Sequence, residues 1–198
     1  MNLPNKISLA RIILIPVFVV FFFWSFTGHY FVAAGIFAVA AITDFIDGHI
    51  ARSRKMVTNL GKFLDPIADK VLIAAAFILV LTAKEEVFLA FGKANTAVYI
   101  LASVSVCIIL ARELIISAFR QIAAAAGIVL AAEKLGKYKT VFQDLSVFAL
   151  LLAAGCSGMI GTVVSWIAVG LFAIATVLTV VSGISYVWKN KQVLKDTQ

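Results

Sequence analysis

Six stretches of the chain are dominated by apolar side chains, over residues 7–26, 30–50, 63–82, 96–128, 141–155 and 161–187. Polar and charged residues gather mainly in the short connections between them. No stretch shows the alternation of apolar and polar positions that a membrane barrel requires. In lipid, an unbroken apolar run satisfies its backbone groups only as a helix, so the pattern predicts six helices. A helix crosses hydrocarbon with about 20 residues. Alanine and glycine recur within the stretches, and small side chains let neighbouring helices approach closely. The polar opening, Met1-Asn2-Leu3-Pro4-Asn5-Lys6, predicts a short interfacial helix ahead of the first span. It is not read as a signal peptide, because residues 12–26 carry bulky aromatics and end without a small-residue cleavage site. The expectation is an all-α integral membrane protein of six transmembrane helices plus that N-terminal interfacial helix, forming one domain over residues 1–198.

Composition strengthens the membrane reading. Of 198 residues, 63% are hydrophobic and 14% charged, and the mean hydropathy is +1.06. A soluble domain carries about 25% charged residues, so this surplus of apolar surface does not fit a water-facing globule. The net charge of +7 would suit nucleic acid, but its distribution gives a better reason. Basic residues occur on every second connection: Lys6 and Arg11, then Arg52, Arg54, Lys55 and Lys62, then Lys134, Lys137 and Lys139, and finally Lys189, Lys191 and Lys195. The intervening turns hold none at 27–29, only Lys84 and Lys93 beside Glu85 and Glu86 in the middle, and none near Ser157. That alternation predicts a multi-pass protein of the cytoplasmic membrane with both termini inside and no role for nucleic acid. Trp24, His29 and Tyr30 read as residues of the outer boundary, and His49 as another interfacial side chain. Cys107 and Cys156 lie in different apolar stretches without metal-ligand spacing and read as ordinary buried thiols.

Four of the ten acidic residues fall between Thr43 and Lys70. Asp44 and Asp47 are three apart at the end of the second stretch, and Asp65 and Asp69 are four apart at the start of the third. On helices, each spacing puts its pair on one face. A short linker makes the two helices antiparallel neighbours, so the four carboxylates converge at the cytoplasmic edge. Such a cluster is costly beside lipid unless positive charge compensates it. Salt bridges to Arg52, Arg54, Lys62 and Lys70 would do so. The alternative is divalent metal, since an all-oxygen set favours hard cations such as Mg²⁺ or Mn²⁺, and two ions could clamp a diphosphate. Gly48 would let a ligand approach the backbone, Arg52 offers a planar cation for phosphate oxygens, and Pro66 suits the first turn of the third helix.

The run Asp44-x2-Asp47-Gly48-x2-Ala51-Arg52-x8-Gly61-x3-Asp65-x3-Asp69 resembles the signature of the CDP-alcohol phosphatidyltransferase family, with every specified position met. The resemblance implies a six-helix membrane fold, two divalent cations and a CDP-linked lipid donor, CDP-diacylglycerol. It implies that Asp44, Asp47, Asp65 and Asp69 ligate metal and that Asp69 is also the general base on the acceptor hydroxyl. A divalent-cation transporter would also place aspartates on membrane helices. Transporters, however, bind near the midplane, and these carboxylates are expected at the membrane edge.

Two further stretches bear on the acceptor. The opening Asn2 to Ile12 is similar to that of the bacterial phosphatidylglycerophosphate synthases, a branch of the family, and Asn5 and Ser8 could reach the nucleotide; Thr58 is a further candidate for the same contact. Ala111-Arg112-Glu113-Leu114 with Arg120, and Gly136-Lys137-Tyr138-Lys139-Thr140, resemble the same branch. Arg112 and Glu113 stand in an apolar stretch, where charge needs a partner or a function, and they could simply pair. Together Arg112, Lys137 and Lys139, with Arg120, form a candidate cationic pocket for a phosphorylated acceptor such as glycerol 3-phosphate. Sister enzymes of the family use phosphatidylglycerol, inositol phosphate or serine instead, and the signature alone does not choose among them. A homodimer is compatible with the sequence.

Overall fold

The computed structural model describes residues 3–53, 59–128, 130 and 134–194, and these form helices, turns and loops with no strand among them. Six long helices match the six apolar stretches: α1 (Leu3–Phe23), α2 (His29–Ser53), α3 (Asn59–Thr82), then, after the short α4 (Lys84–Val87), α5 (Asn95–Ala125), α6 (Lys134–Gly155) and α7 (Gly158–Lys189). Short 3₁₀ turns, Leu89–Ala94 and Lys191–Leu194, precede α5 and follow α7.

Several boundaries differ from the sequence pattern, and three of the differences have a local cause. α1 starts at Leu3 and runs unbroken through Pro16 to Phe23, so the expected separate interfacial helix is the first turns of α1. Nothing in residues 3–7 breaks a helix, because Pro4 needs no backbone donor in the first turn. α5 stops at Ala125, before the predicted 128, because the chain reverses through Gly127 at φ 73°, a conformation glycine adopts without penalty. α3 starts six residues before Asp65, so Pro66 lies inside the helix rather than in its first turn. It removes the backbone donor that would have reached residue 62.

The core is built from small and aromatic side chains on facing helices. Ala33, Ala34, Ala40, Ala76, Ala153, Ala168 and Ala175 are buried, interleaved with Phe18, Phe37, Phe77 and Phe172. The buried positions of α7 fall at 161, 165, 168, 172, 175, 179, 182 and 186, with 183 beside them. That 4-3-4-3 spacing is the mark of close packing at a shallow angle, here mainly against α6. α1 packs on α2 and α3, α2 on α6, and α5 on α7.

The outward faces are apolar. Leu101, Val104, Leu114 and Ile115 of α5, and Trp166, Ile167, Val177, Ile184 and Trp188 of α7, are exposed. Contiguous apolar surface on this scale marks contact with lipid or another protein. Among the described residues, Thr96–Ala125 and Gly158–Lys189 are long and apolar enough to cross a bilayer, and Ile7–Phe23 and His29–Thr43 are shorter apolar helices. Together these are the features of a membrane protein. Cys107 is exposed on α5 and Cys156 is half-buried, both free, so the expectation of buried thiols fails for Cys107, whose apolar surroundings are the outward face of α5.

Candidate active site

Because the long helices alternate in direction, one end of the bundle collects the start of α3, the far half of α5, the start of α6 and the end of α7. A cavity of about 520 Å³ opens there, lined by Asp69 and Lys70 from α3, Arg112, Glu113 and Arg120 from α5, and Lys137, Lys139 and Thr140 from α6. All four cations proposed for the acceptor phosphate thus share one cavity with Asp69. A smaller recess of about 150 Å³ continues inward between Ile73, Ala74, Leu110 and Gln143.

Charge in this cavity is held by a shared carboxylate. Arg112 Nη1 donates to Glu113 Oε1 at 3.0 Å, and Lys139 Nζ donates to the same oxygen at 2.6 Å. The Lys139 side chain is only 5% exposed, and a buried ammonium requires such a partner. Lys139 lies just ahead of the apolar stretch that begins at 141. Asp69 is half-buried. Arg112 Nε is a buried donor without a hydrogen-bond partner among the described residues, an uncommon and costly condition.

The last helix completes the surroundings. Arg112 Nη2 donates to Ser182 Oγ at 3.1 Å, and Arg120 Nε donates to the Tyr186 hydroxyl at 3.1 Å. The Arg120 guanidinium also lies 5.2 Å from the centre of the Tyr186 ring, within cation–π range. Gln143 of α6 donates to Thr179 Oγ1 of α7 at 3.2 Å. Sequence reasoning identified the cations but not these partners. The available signal was weak: hydroxyl residues at 179, 182 and 186 share one helical face inside an apolar stretch.

The candidates toward the donor and metal are less fully described. Ser8 lies on α1 and is fully buried, as is Arg11 one turn on. The side chains of Asn5, Asp44, Asp47, Arg52 and Asp65, together with Gly48, lie outside the described residues, as does Thr58 altogether. The backbone is informative. Asp44 and Asp47 belong to α2, and Asp65 and Asp69 to α3. These helices touch and are joined across only residues 54–58. Each pair therefore shares a helical face at the end of the bundle that holds the cavity. Carboxylate oxygens are the ligand type that a hard divalent cation prefers. Among the described side chains, no group of three metal-ligating residues occurs.

Comparison with known proteins yields a consistent result. The family model described as CDP-alcohol phosphatidyltransferase matches residues 1–187. The chain is similar to CDP-diacylglycerol–glycerol-3-phosphate 3-phosphatidyltransferase of Bacillus subtilis (strain 168), with 37% identity covering 98% of this chain and 97% of the relative. It is similar to proteins of the same name from Rickettsia felis, at 35% identity over 93% of both chains, and from Shigella flexneri serotype 5b, at 37% identity over 93% of this chain and 92% of the relative.

Proposed function

This chain belongs to the CDP-alcohol phosphatidyltransferase family, and from that premise we propose that it transfers the phosphatidyl group of CDP-diacylglycerol to glycerol 3-phosphate, giving phosphatidylglycerophosphate and CMP. The observation that favours a phosphorylated acceptor is the cavity that joins Asp69 to Arg112, Arg120, Lys137 and Lys139, and the name shared by the relatives supports glycerol 3-phosphate among such acceptors. A neutral acceptor such as serine would have no use for four cations. A dianionic phosphate would, and each charge-assisted contact to it contributes about 1.5–3 kcal/mol.

In this reading the acceptor phosphate rests among Arg112, Lys137, Lys139 and Arg120, which directs its hydroxyl end toward Asp69. The hydroxyl oxygen attacks the phosphorus that bears the diacylglycerol, in line with the bond to the bridging diphosphate oxygen. Asp69 accepts the hydroxyl proton as the new bond forms. The bridging bond breaks, and the oxygen and its electron pair depart with CMP. Asn5, Ser8, Gly48, Arg52 and Thr58 are assigned to the donor, with Arg52 on its diphosphate. Asp44, Asp47, Asp65 and Asp69 would hold two Mg²⁺ or Mn²⁺ ions, which when bound supply neutralisation of the diphosphate charge. All six long helices cross the cytoplasmic membrane, with both termini and the site on the cytoplasmic side, and residues 1–198 act as one domain.

The test is incubation of purified protein with CDP-diacylglycerol and Mg²⁺ or Mn²⁺ against a panel of labelled alcohols. Release of CMP dependent on glycerol 3-phosphate, lost on chelation and restored by the ion, is expected. Turnover with serine, inositol phosphate or phosphatidylglycerol in its place would overturn the acceptor. Turnover undiminished by chelation would overturn the metal.

A further inference from the structure

The sequence treats α7 as a plain membrane span, yet its buried face changes character partway along. From Gly161 to Ala175 that face is small or apolar apart from Ser165, and it packs on α6. From Thr179 onward it carries Thr179, Ser182, Gly183 and Tyr186, all buried. Hydroxyls in an apolar interior are retained only where they are hydrogen-bonded, and here the partners converge on the candidate site. Ser182 accepts from Arg112, and Tyr186 accepts from Arg120 while its ring underlies the guanidinium. Ser182 donates in turn to the Thr179 carbonyl at 3.2 Å, which fixes its rotamer. Gly183 leaves the space through which the Arg112 stem passes, since a β-carbon there would lie 3.0 Å from Arg112 Cγ. Phe119 meets the Tyr186 ring edge-on at 6.0 Å, and Tyr186 is 2% exposed, so the phenol is held rigidly.

We propose that the end of α7 is a positioning template for the acceptor site. Ser182 and Gly183 set the reach and direction of Arg112, and Tyr186 sets those of Arg120, without themselves touching the acceptor. A long arginine side chain loses much rotamer freedom when it engages an anion. A template that fixes the chain beforehand removes part of that loss from binding. The effect therefore falls on acceptor affinity and leaves both the donor and the chemical step alone. This inference rests on the reading of Arg112 and Arg120 as acceptor cations.

The experiment measures CMP release by purified full-length variants against glycerol 3-phosphate at saturating CDP-diacylglycerol, and then against the donor at saturating acceptor. Ser182→Ala and Tyr186→Phe each remove one hydroxyl and keep the packing. Each should raise KM for glycerol 3-phosphate about two- to tenfold, the ratio an ordinary hydrogen bond is worth, with donor KM and kcat unchanged. Gly183→Ala, which displaces the Arg112 stem, should shift the same constant. Wild-type acceptor KM in both Ser182→Ala and Tyr186→Phe would overturn the template, as would an equal loss in kcat and both KM values, the mark of a merely structural role. Arg112→Ala separates the two layers of the argument. If it raises acceptor KM while the α7 variants do not, the template alone fails. If it leaves acceptor KM unmoved, the acceptor-site reading fails and the template goes with it.

Discussion

Glu113 takes both Arg112 and Lys139 on one carboxylate oxygen, so the cavity is less positive than its basic residues suggest, though basic side chains still outnumber acidic ones along its lining. The remaining carboxylate there, Asp69, is the residue on which the proposed chemistry turns. Asp69→Asn keeps the size and the hydrogen-bonding capacity toward neighbours but cannot take a proton. CMP release should fall at least about 10²- to 10⁴-fold, the usual share of general-base catalysis, while the protein still inserts and folds. Wild-type rates in this variant, measured by CMP release, would remove Asp69 from the mechanism. At this scale the sequence was legible wherever charge stood in an apolar stretch. Arg112 and Arg120 could be picked out because lipid makes charge conspicuous, whereas Lys137 and Lys139, in the connection before 141, stood out through the family resemblance. The partners of the two arginines could not, because Ser182 and Tyr186 lie 70 and 66 residues away and only packing brings them near. The aspartates also stood out by their helical spacing, Asp44 and Asp47 on α2 and Asp65 and Asp69 on α3.

The six long helices were legible from the apolar runs, but the short α4 and the helix ends were not, because these depend on local backbone needs rather than on hydropathy. The turn between α6 and α7 illustrates this. Only two residues, Cys156 and Ser157, separate the helices, and three glycines make so tight a reversal feasible. Gly158 adopts φ 63°, which suits a residue without a β-carbon. Gly155 carries the ring of Phe31 from α2 against its face, with ring atoms 3.0 Å from where a β-carbon would stand. At Gly161 the obstruction is backbone: a β-carbon would lie 2.6 Å from the Cys156 carbonyl oxygen. A phenyl ring can tilt away, but a carbonyl fixed by the turn cannot. Gly161→Ala should therefore cost about 1–3 kcal/mol, the range for overpacking a closed site, and more than Gly155→Ala. Thermal unfolding in one detergent would check the order. A Gly161→Ala protein as stable as wild type would mean that the turn relaxes more readily than its geometry implies.

Across the whole molecule, the two ends of the bundle differ in kind. One holds the cavity with its surplus of basic side chains. The other, formed by the end of α1, the start of α2 and the end of α3, holds a cavity of about 310 Å³ lined by Phe22, His29, Tyr30, Thr82 and Glu86, with Lys84 on Glu85 nearby as a surface pair. His29 Nδ1 bonds the Phe22 carbonyl at 2.8 Å, and the His29 and Tyr30 rings lie 4.0 Å apart, an aromatic arrangement suited to a membrane–water boundary. The basic connections of the sequence all join helices at the first end, so the distribution of charge and the position of the candidate site imply the same orientation. Lysine and arginine are retained on the cytoplasmic face, and glycerol 3-phosphate, being anionic and water-soluble, would reach the site from that compartment. The prediction is that a reporter fused after Gln198 lies in the cytoplasm and that a membrane-impermeant amine reagent applied to intact cells labels Lys84 but not Lys137, both of which are exposed. Labelling of Lys137 from outside would invert the molecule in the bilayer. It would also separate the site from its proposed acceptor, because the cation cavity would then face a compartment in which that acceptor is not retained.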